Sequence, residues 1–521
     1  MESDFDIAVI GAGVAGTYAA WRLKSLRNTR LEQQSDRPSS QRIGIFETSG
    51  RIGGRLFSER LPGIPESPVE LGGMRFLNTH KRVNGLVKHF DLEFRPLPIV
   101  DISKKNLFYL RGRHFTEADW NRPDFTPPYL LDRSERARSA GSLLIETALK
   151  YQHSIDDIKN VGFWNLLLEE WSAEAYHLIR EASGYDTIVN NWSAAEAIKF
   201  LLADFHENAQ YFALSRGFQE LPISLERQFG MMGGETFLSH RLHRIDRIDS
   251  QFVLTFDKNP DRSDSGRRVR EQVTYTASKV ILALPRRAIE LIHPDSFIFD
   301  SKVFEQDLRT VIAQSGFKIF AAYRRPWWLK SHGLSEGRSI TDLPIRQCYY
   351  WSTRKDKNSI LMASYNDGAS VEYWAGLAKQ SEPYCPPLSA CPPGIPIPNS
   401  LGKIHASKSL VQELQNQLRE LHGLNKIDSE SSGGLVAPYS VVCQDWSADP
   451  FGGGWHFWKI GENSFQTAER IRKPFSDVPL YVCGEAWCDQ QGWVEGAIET
   501  VDKLLEKEFN LGQTKTAATV S

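Results

Sequence analysis

Phe5-Asp-Ile-Ala-Val-Ile-Gly11-Ala-Gly13-Val-Ala-Gly16 is the stretch on which the reading of this chain turns. Residues 5–10 are short, apolar and partly β-branched, the pattern of a strand buried on both faces of a parallel sheet. Glycines follow at once. Gly11 permits a tight turn, Gly13 lets backbone approach a pyrophosphate, and Gly16 lets a helix pack closely on the strand. That helix, expected to run to about Leu26, offers free N–H groups and the positive end of its dipole to phosphate. Arg27 to Gln41 is polar without periodicity and reads as a surface loop. Ile43-Gly-Ile-Phe-Glu47 reads as a second strand that ends in an acid. Strand, helix, strand and acid predict a β-α-β dinucleotide unit in which Glu47 accepts a ribose hydroxyl, rather than three glycines that merely pack a helix.

Arg51-Ile-Gly53-Gly54-Arg55 comes next. Paired glycines permit close backbone approach to a ligand, and the flanking arginines can fork onto phosphate; the plainer alternative is a glycine turn with two solvated arginines. The glycine motif leaves NAD and FAD both open. The 521 residues allow about three to four domains or one large multi-lobed enzyme. Against 62 Lys and Arg stand 64 Asp and Glu, a net charge of −2. That balance speaks against nucleic-acid binding by bulk electrostatics and against a polybasic membrane surface. No window approaches the roughly 18 uninterrupted apolar residues of a membrane span. Six cysteines without a CxxC pair make neither a disulfide scaffold nor a zinc ribbon, and no metal site is expected. The opening Met1-Glu-Ser-Asp-Phe-Asp has no positive n-region, so the expected address is cytoplasmic.

Further along, residues 119–210 carry helical signals and read as a mainly helical lobe. Residues 251–282 read as a hairpin with a charged tip from Lys258 to Glu271, and Lys279-Val-Ile-Leu-Ala-Leu-Pro285 as another buried strand. The proline-rich 381–402 reads as an irregular loop, 404–422 as an amphipathic helix, and the tail after Leu511 as frayed. No solenoid repeat is visible.

Together with Glu70-Leu-Gly-Gly-Met-Arg75, Arg216-Gly-Phe-Gln-Glu-Leu-Pro222, Leu480-Tyr-Val-Cys-Gly-Glu485 and Gly492-Trp-Val-Glu-Gly-Ala497, these segments resemble the flavin amine oxidase superfamily. Within it the chain looks most like the L-amino acid oxidases. The resemblance implies an α/β fold: a Rossmann-like FAD-binding domain (1–70, 211–297, 437–510), a mixed-sheet substrate domain (71–118, 298–436), a helical lobe (119–210) and a flexible tail (511–521). It implies FAD near Gly11, Gly13, Ala15, Gly16, Glu47, Arg51, Gly54, Arg55, Gly73, Met74, Arg75, Leu242, Trp446, Gly484, Glu485, Gly492, Trp493 and Val494. Glu485 would lie near the ribityl-phosphate region and Gly492-Trp493 beside the flavin ring.

The segment Gly72-Gly-Met-Arg75 looks like the one that crosses the flavin in L-amino acid oxidases, where the arginine binds the substrate carboxylate. A planar guanidinium grips a carboxylate through two parallel bonds. The order Ser315-Gly-Phe-Lys318, Trp327-Trp328, Ser339-Ile-Thr-Asp342, Tyr349-Tyr350 resembles the same group. It implies that Lys318 holds a water near flavin N5, the one catalytic side chain expected. Tyr365 would share the carboxylate, Trp446 pack on the ring, and Trp455 and Trp493 wall the side-chain pocket. Gly454 and Trp455 stand where covalent-flavin relatives carry cysteine, so FAD is expected to be non-covalent. Animal relatives carry a histidine in the helical lobe; here Trp192 or Ser193 falls near that place and His206 lies out of register. Asp204 and Glu207 are candidates to meet a basic substrate end, but read more simply as solvated helix acids. The expected activity is oxidative deamination of L-amino acids by hydride transfer from Cα to the flavin and on to O2, giving 2-oxo acid, ammonia and hydrogen peroxide. Rivals are an amine or polyamine oxidase, an amino-acid monooxygenase and a non-enzymatic flavin-binding protein. Expected partners are the amino acid, O2 and a second copy in a homodimer or higher assembly.

Overall fold

Strand β1 (Phe5–Ile10) lies at the centre of a parallel array. A computed structural model describes residues 3–31, 41–98, 104–120, 122–136, 138–189, 191–205, 209–258, 271–395, 404–424 and 435–512. Helix α1 (Val14–Leu31) leads from β1 to β2 (Ile43–Phe46), which pairs with β1 on one side; Gln272–Leu282 pairs on the other. Glu235–Phe237 continues the parallel array beyond β2, and Leu480–Val482 beyond Gln272–Leu282. Strand order therefore reverses at β1. In open α/β sheets that reversal opens a crevice beyond the strands' C-terminal ends. Residues 7–10 are buried on both faces, as the pattern predicted: Ile7 and Val9 pack toward α1 and Leu504, and Ala8 and Ile10 toward Phe252 and Phe256.

Two sequence expectations shift here. Helix α1 continues to Leu31 instead of ending near Leu26. Its polar last turns need no apolar stripe, because Tyr18, Ala19, Trp21 and Leu23 already anchor it. Residues 32–40, the rest of the expected loop, lie outside the described residues. The hairpin is present, but Val273 to Leu282 forms one continuous strand: its first half pairs antiparallel with Gln251–Lys258 and its second half parallel with β1. Residues 259–270, most of the expected tip, lie outside the described residues.

A second sheet orders Ser440–Asp445, Gly316–Tyr323, Ser359–Asp367, Gln347–Ser352, Arg338–Thr341, Leu107–Leu110 and Arg113–Thr116. Ser440–Asp445 thus belongs to this sheet, although 437–510 was expected with the first. Gly316–Tyr323 is buried along its whole length, and its register sets Lys318 directly opposite Tyr365. A small sheet pairs Phe76–Leu77 and Phe94–Pro96 with Tyr211–Leu214. The helices Ala140–Tyr151, Phe163–Glu170, Ala173–Ser183 and Ala194–Asp204 bury a separate apolar core that reaches Phe457. The amphipathic helix is Lys408–Leu421; the Ser407 hydroxyl accepts from the Leu410 N–H and caps it. In the proline-rich stretch a short 3₁₀ turn forms at Leu388–Ala390; 396–402 and the tail 513–521 are not among the described residues. No described helix is long and apolar enough to cross a membrane.

Candidate active site

Two adjoining cavities open where the first sheet ends. The first, of about 1270 Å³, is lined by Gly11, Gly13, Ala15, Glu47, Gly54, Arg55, Gly73, Leu242, Gly484, Glu485, Gly492, Trp493 and Val494 among others. Its floor is backbone: the Gly53 N–H donates to the Ala12 carbonyl at 2.9 Å, which joins the two glycine turns. Glu47 is buried; its Oε2 accepts the Ala12 N–H at 2.8 Å and its Oε1 the Ser49 N–H and hydroxyl at 2.9 and 2.8 Å. The first turn of α1 projects into the same space, since Val14 and Ala15 line it. A glycine cradle, a helix N-terminus and an acid on the neighbouring strand fit a phosphate-bearing dinucleotide.

Gly16 and Arg51, expected at the cofactor, line neither cavity. Gly16 packs α1 against β1. Arg51 turns inward: its Nη1 and Nη2 donate to the carbonyls of Leu56 and Gly54 at 3.0 and 2.6 Å, and its guanidinium lies over the Phe57 ring at 4.2 Å. It braces the glycine turn through that turn's own carbonyls. Arg55 does reach the cavity, where its Nη1 meets Glu485 Oε2 at 2.8 Å. Glu485 also accepts from His456 Nδ1 (2.9 Å), the His456 N–H (2.8 Å) and the Gly492 N–H (2.8 Å). Burial alone would push this carboxyl up, but Arg55 and His456 hold it down at about 2. The hub ties Arg55, the Trp455–Trp458 strand and the Gly492-Trp493 loop together around one charge. His456 was not singled out in the sequence; nothing local distinguishes it from a core histidine.

The second cavity, about 1060 Å³, shares Arg55, Gly73, Gly454, Gly492, Trp493 and Val494 with the first. Met74, Arg75, Lys318, Tyr365, Trp446 and Trp455 line it, with Tyr185, Ile188, Phe200 and Phe205 from the helical lobe. Met74, Arg75 and Trp446 thus border this cavity rather than the first. The Trp446 Nε1–H donates to the Leu71 carbonyl at 2.7 Å, which fixes the ring. No histidine lines the second cavity among the described residues; Trp192 is buried behind it, stacked on Phe457 at 3.8 Å, and His206 and Glu207 lie outside the described residues.

Arg75 forms no ion pair among the described residues, and its Nη1 is buried without a hydrogen-bond partner. Its guanidinium lies over the rings of Tyr211 (4.7 Å) and Trp493 (5.9 Å). Burial works against its charge, but Tyr185, Tyr349, Tyr211 and Tyr365 around it outweigh burial and push its pKa up. A buried guanidinium without a carboxylate is costly unless a ligand supplies one. Tyr185 and Tyr211 have no assigned role in the sequence reading, and Tyr349 enters it only as part of the Tyr349-Tyr350 resemblance, since a buried tyrosine with a satisfied hydroxyl is ordinary core.

Lys318 is buried, donates to the carbonyls of Gly72 (2.5 Å) and Glu70 (3.2 Å), and lies 4.7 Å from the Tyr365 ring centre. Burial, then the nearby Arg75, lower its pKa, and Glu70 opposes them; burial raises Glu70 in turn. Asp204, read from sequence as a solvated helix acid, is 2% exposed, and its Oδ2 accepts from Trp493 Nε1 at 2.5 Å. Burial pushes its carboxyl up to about 7, against the Trp493 bond and Arg75. A carboxyl held above its unfolded value keeps its proton better when folded. The stability linked to it is complete below the unfolded value and lost as pH rises through about 7. Asp204→Asn is therefore expected to raise the melting temperature more at about pH 8 than at about pH 5, read by thermal scans of the flavin-loaded protein.

A glycine-cradled dinucleotide cleft that meets a cation-bearing aromatic cavity defines a flavoenzyme of the amine-oxidising class. The chain belongs to the flavin containing amine oxidoreductase family, whose model matches residues 14–382 and 402–500, and the family implies a flavin. It is 26% identical over 538 residues to achacin of Lissachatina fulica, covering 97% of this chain and 93% of that one. Aplysianin-A of Aplysia kurodai is 25% identical over 549 residues, with 98% and 91% covered. The L-amino-acid oxidase of Crotalus adamanteus is 22% identical over 513 residues, with 95% and 85% covered. In fold the chain is similar to wild-type putrescine oxidase bound to putrescine, at a TM-score of 0.67 and 15% identity over 97% of this chain and 99% of that one.

Proposed function

We propose that the chain is an FAD-dependent oxidase of L-amino acids, releasing 2-oxo acid, ammonia and hydrogen peroxide. The observation that carries this reading is Arg75, a cation without a carboxylate partner among the described residues, in the wall of the cavity that adjoins the flavin cleft. A substrate carboxylate supplies the missing charge; a bare amine or diamine meets only repulsion there. FAD held by the glycine cradle, Glu47 and Arg55 would supply a two-electron acceptor able to hand the pair on to O2. Arg75 grips the carboxylate and Tyr365 adds a hydroxyl, so that Cα–H faces the wall shared by the two cavities and orientation becomes rate. Arg75 and Lys318 together favour the neutral amine, the form from which hydride departs. Lys318 Nζ, held by two carbonyls, keeps one position for a water beside the reacting carbon. Non-covalent FAD is supported by the linings of both cavities, which contain no cysteine among the described residues, and by the thiols of Cys443 and Cys483, pushed by burial up to about 12 and so poor nucleophiles.

Anaerobic mixing of the flavin-loaded protein with L-amino acids, D-amino acids and the matching amines tests this. Bleaching of the visible flavin band by L-amino acids alone is expected. Bleaching by amines alone would replace the reading with an amine oxidase; no bleaching by any would favour a binding protein. An amide in place of the 2-oxo acid under air would mark a monooxygenase.

A further inference from the structure

Asp204 ends the helix Ala194–Asp204 and lines neither cavity. Its position is costly: a buried carboxylate at the negative end of a helix dipole, without an ion pair among the described residues. Two hydrogen bonds tie it to the aromatic residues around Arg75. Its Oδ2 accepts from Trp493 Nε1, and its backbone carbonyl accepts from the Tyr211 hydroxyl at 3.0 Å. Trp493 and Tyr211 are the two rings over which the Arg75 guanidinium lies. Trp493 also borders both cavities, and His80 packs edge-on against its ring at 4.9 Å. One residue therefore anchors, through side chain and backbone, both aromatic faces that seat the carboxylate-binding cation.

We propose that Asp204 is a positioning residue: through the Trp493 indole it fixes the wall between the cavities and the place of Arg75 upon it. The proposal rests on the reading of the second cavity as a carboxylate-binding substrate site. Acting from outside that cavity, Asp204 sets carboxylate affinity without touching substrate, and what matters is an acceptor for the indole N–H rather than a charge.

The test is a double-mutant cycle on the oxidised holoenzyme with Asp204→Leu, Asp204→Asn, Trp493→Phe and Asp204→Leu combined with Trp493→Phe. Two readouts are taken: visible circular dichroism of the bound flavin without ligand, and benzoate affinity followed by the flavin spectrum. Asp204→Leu should change the dichroism and weaken benzoate about tenfold, the size of one lost hydrogen bond between a neutral donor and a charged acceptor. Asp204→Asn, which keeps an acceptor, should stay within about threefold, and Asp204→Leu should add less than about twofold in the Trp493→Phe background. Should Asp204→Leu not retain flavin, Asp204→Ala replaces it in the cycle, and Trp493→Phe alone must reproduce its loss. Additive effects, or an Asp204→Leu protein that matches the parent in both readouts, would overturn the proposal. If benzoate fails to bind the parent protein, the carboxylate-site reading fails instead, and the dichroism cycle still decides whether Asp204 holds Trp493.

Discussion

Arg75→Ala should leave flavin bound and raise the KM for L-amino acids at least about a hundredfold, or abolish turnover. The size follows from the geometry. A hydrogen bond to a charged partner contributes about 1.5–3 kcal/mol net, and a guanidinium makes two in parallel with a carboxylate. Each about 1.4 kcal/mol is a decade. The tyrosines that remain, Tyr185, Tyr211, Tyr349 and Tyr365, offer hydroxyls but no compensating charge. Arg75→Lys should recover only part of the loss, because a point charge on a flexible stem neither forks onto the carboxylate nor stacks between Tyr211 and Trp493. Initial rates of peroxide release against substrate concentration read the KM, and the flavin-to-protein absorbance ratio reads occupancy. Loss of flavin in place of substrate affinity would assign Arg75 to the cofactor and remove the chief support for an amino-acid substrate.

The parts of this site that were legible in the sequence are those where backbone geometry or charge leaves little choice. Gly11 and Gly13 needed no homologue to be read as a phosphate turn, since strand, turn and helix must follow one another there. The place of Glu47, at the end of the adjacent strand and in the cavity lining, was legible for the same reason. Arg75 was legible only through resemblance; nothing in Gly72-Gly-Met-Arg75 says that its guanidinium lacks a carboxylate, which is a fact about the four tyrosines and Trp493 that surround it. Those come from five separate segments, and no local pattern joins Tyr185, Tyr211 and Tyr349. Arg51 and Asp204 went astray for a common reason. A charged side chain next to a loop or at a helix end has solvent and interior both within reach, and tertiary packing decides. Arg51 found carbonyls of its own turn, and Asp204 an indole almost three hundred residues away in the chain. Helix α1 ran past its expected end because its anchor is its first three turns, and polar residues follow an established helix without a stripe of their own.

The largest structural effect is expected at Gly16. A β-carbon there would lie 1.9 Å from the Gly11 carbonyl oxygen and 3.1 Å from its carbonyl carbon. Both atoms are backbone, so no rotamer relieves the clash; α1 must lift from β1, and with it the helix N-terminus that faces the cofactor cleft. Gly11 itself cannot yield, because its φ of +104° and the Ala283 carbonyl oxygen 2.7 Å from its own would-be β-carbon hold that turn in place. Gly16→Ala should therefore destabilise by about 3 kcal/mol or more, at or beyond the top of the usual range for overpacking, and the protein should purify with little or no flavin. Gly50→Ala is the matched control: it lies in the neighbouring loop with nothing within 4 Å of the added methyl, and should retain full flavin and an unchanged urea midpoint. Denaturant titration with the flavin-to-protein ratio separates the two effects. A Gly16→Ala protein with parental stability and full flavin would mean that α1 can rise from β1 without disturbing the cleft, and that the phosphate cradle is not the rigid element on which the rest of the site is hung.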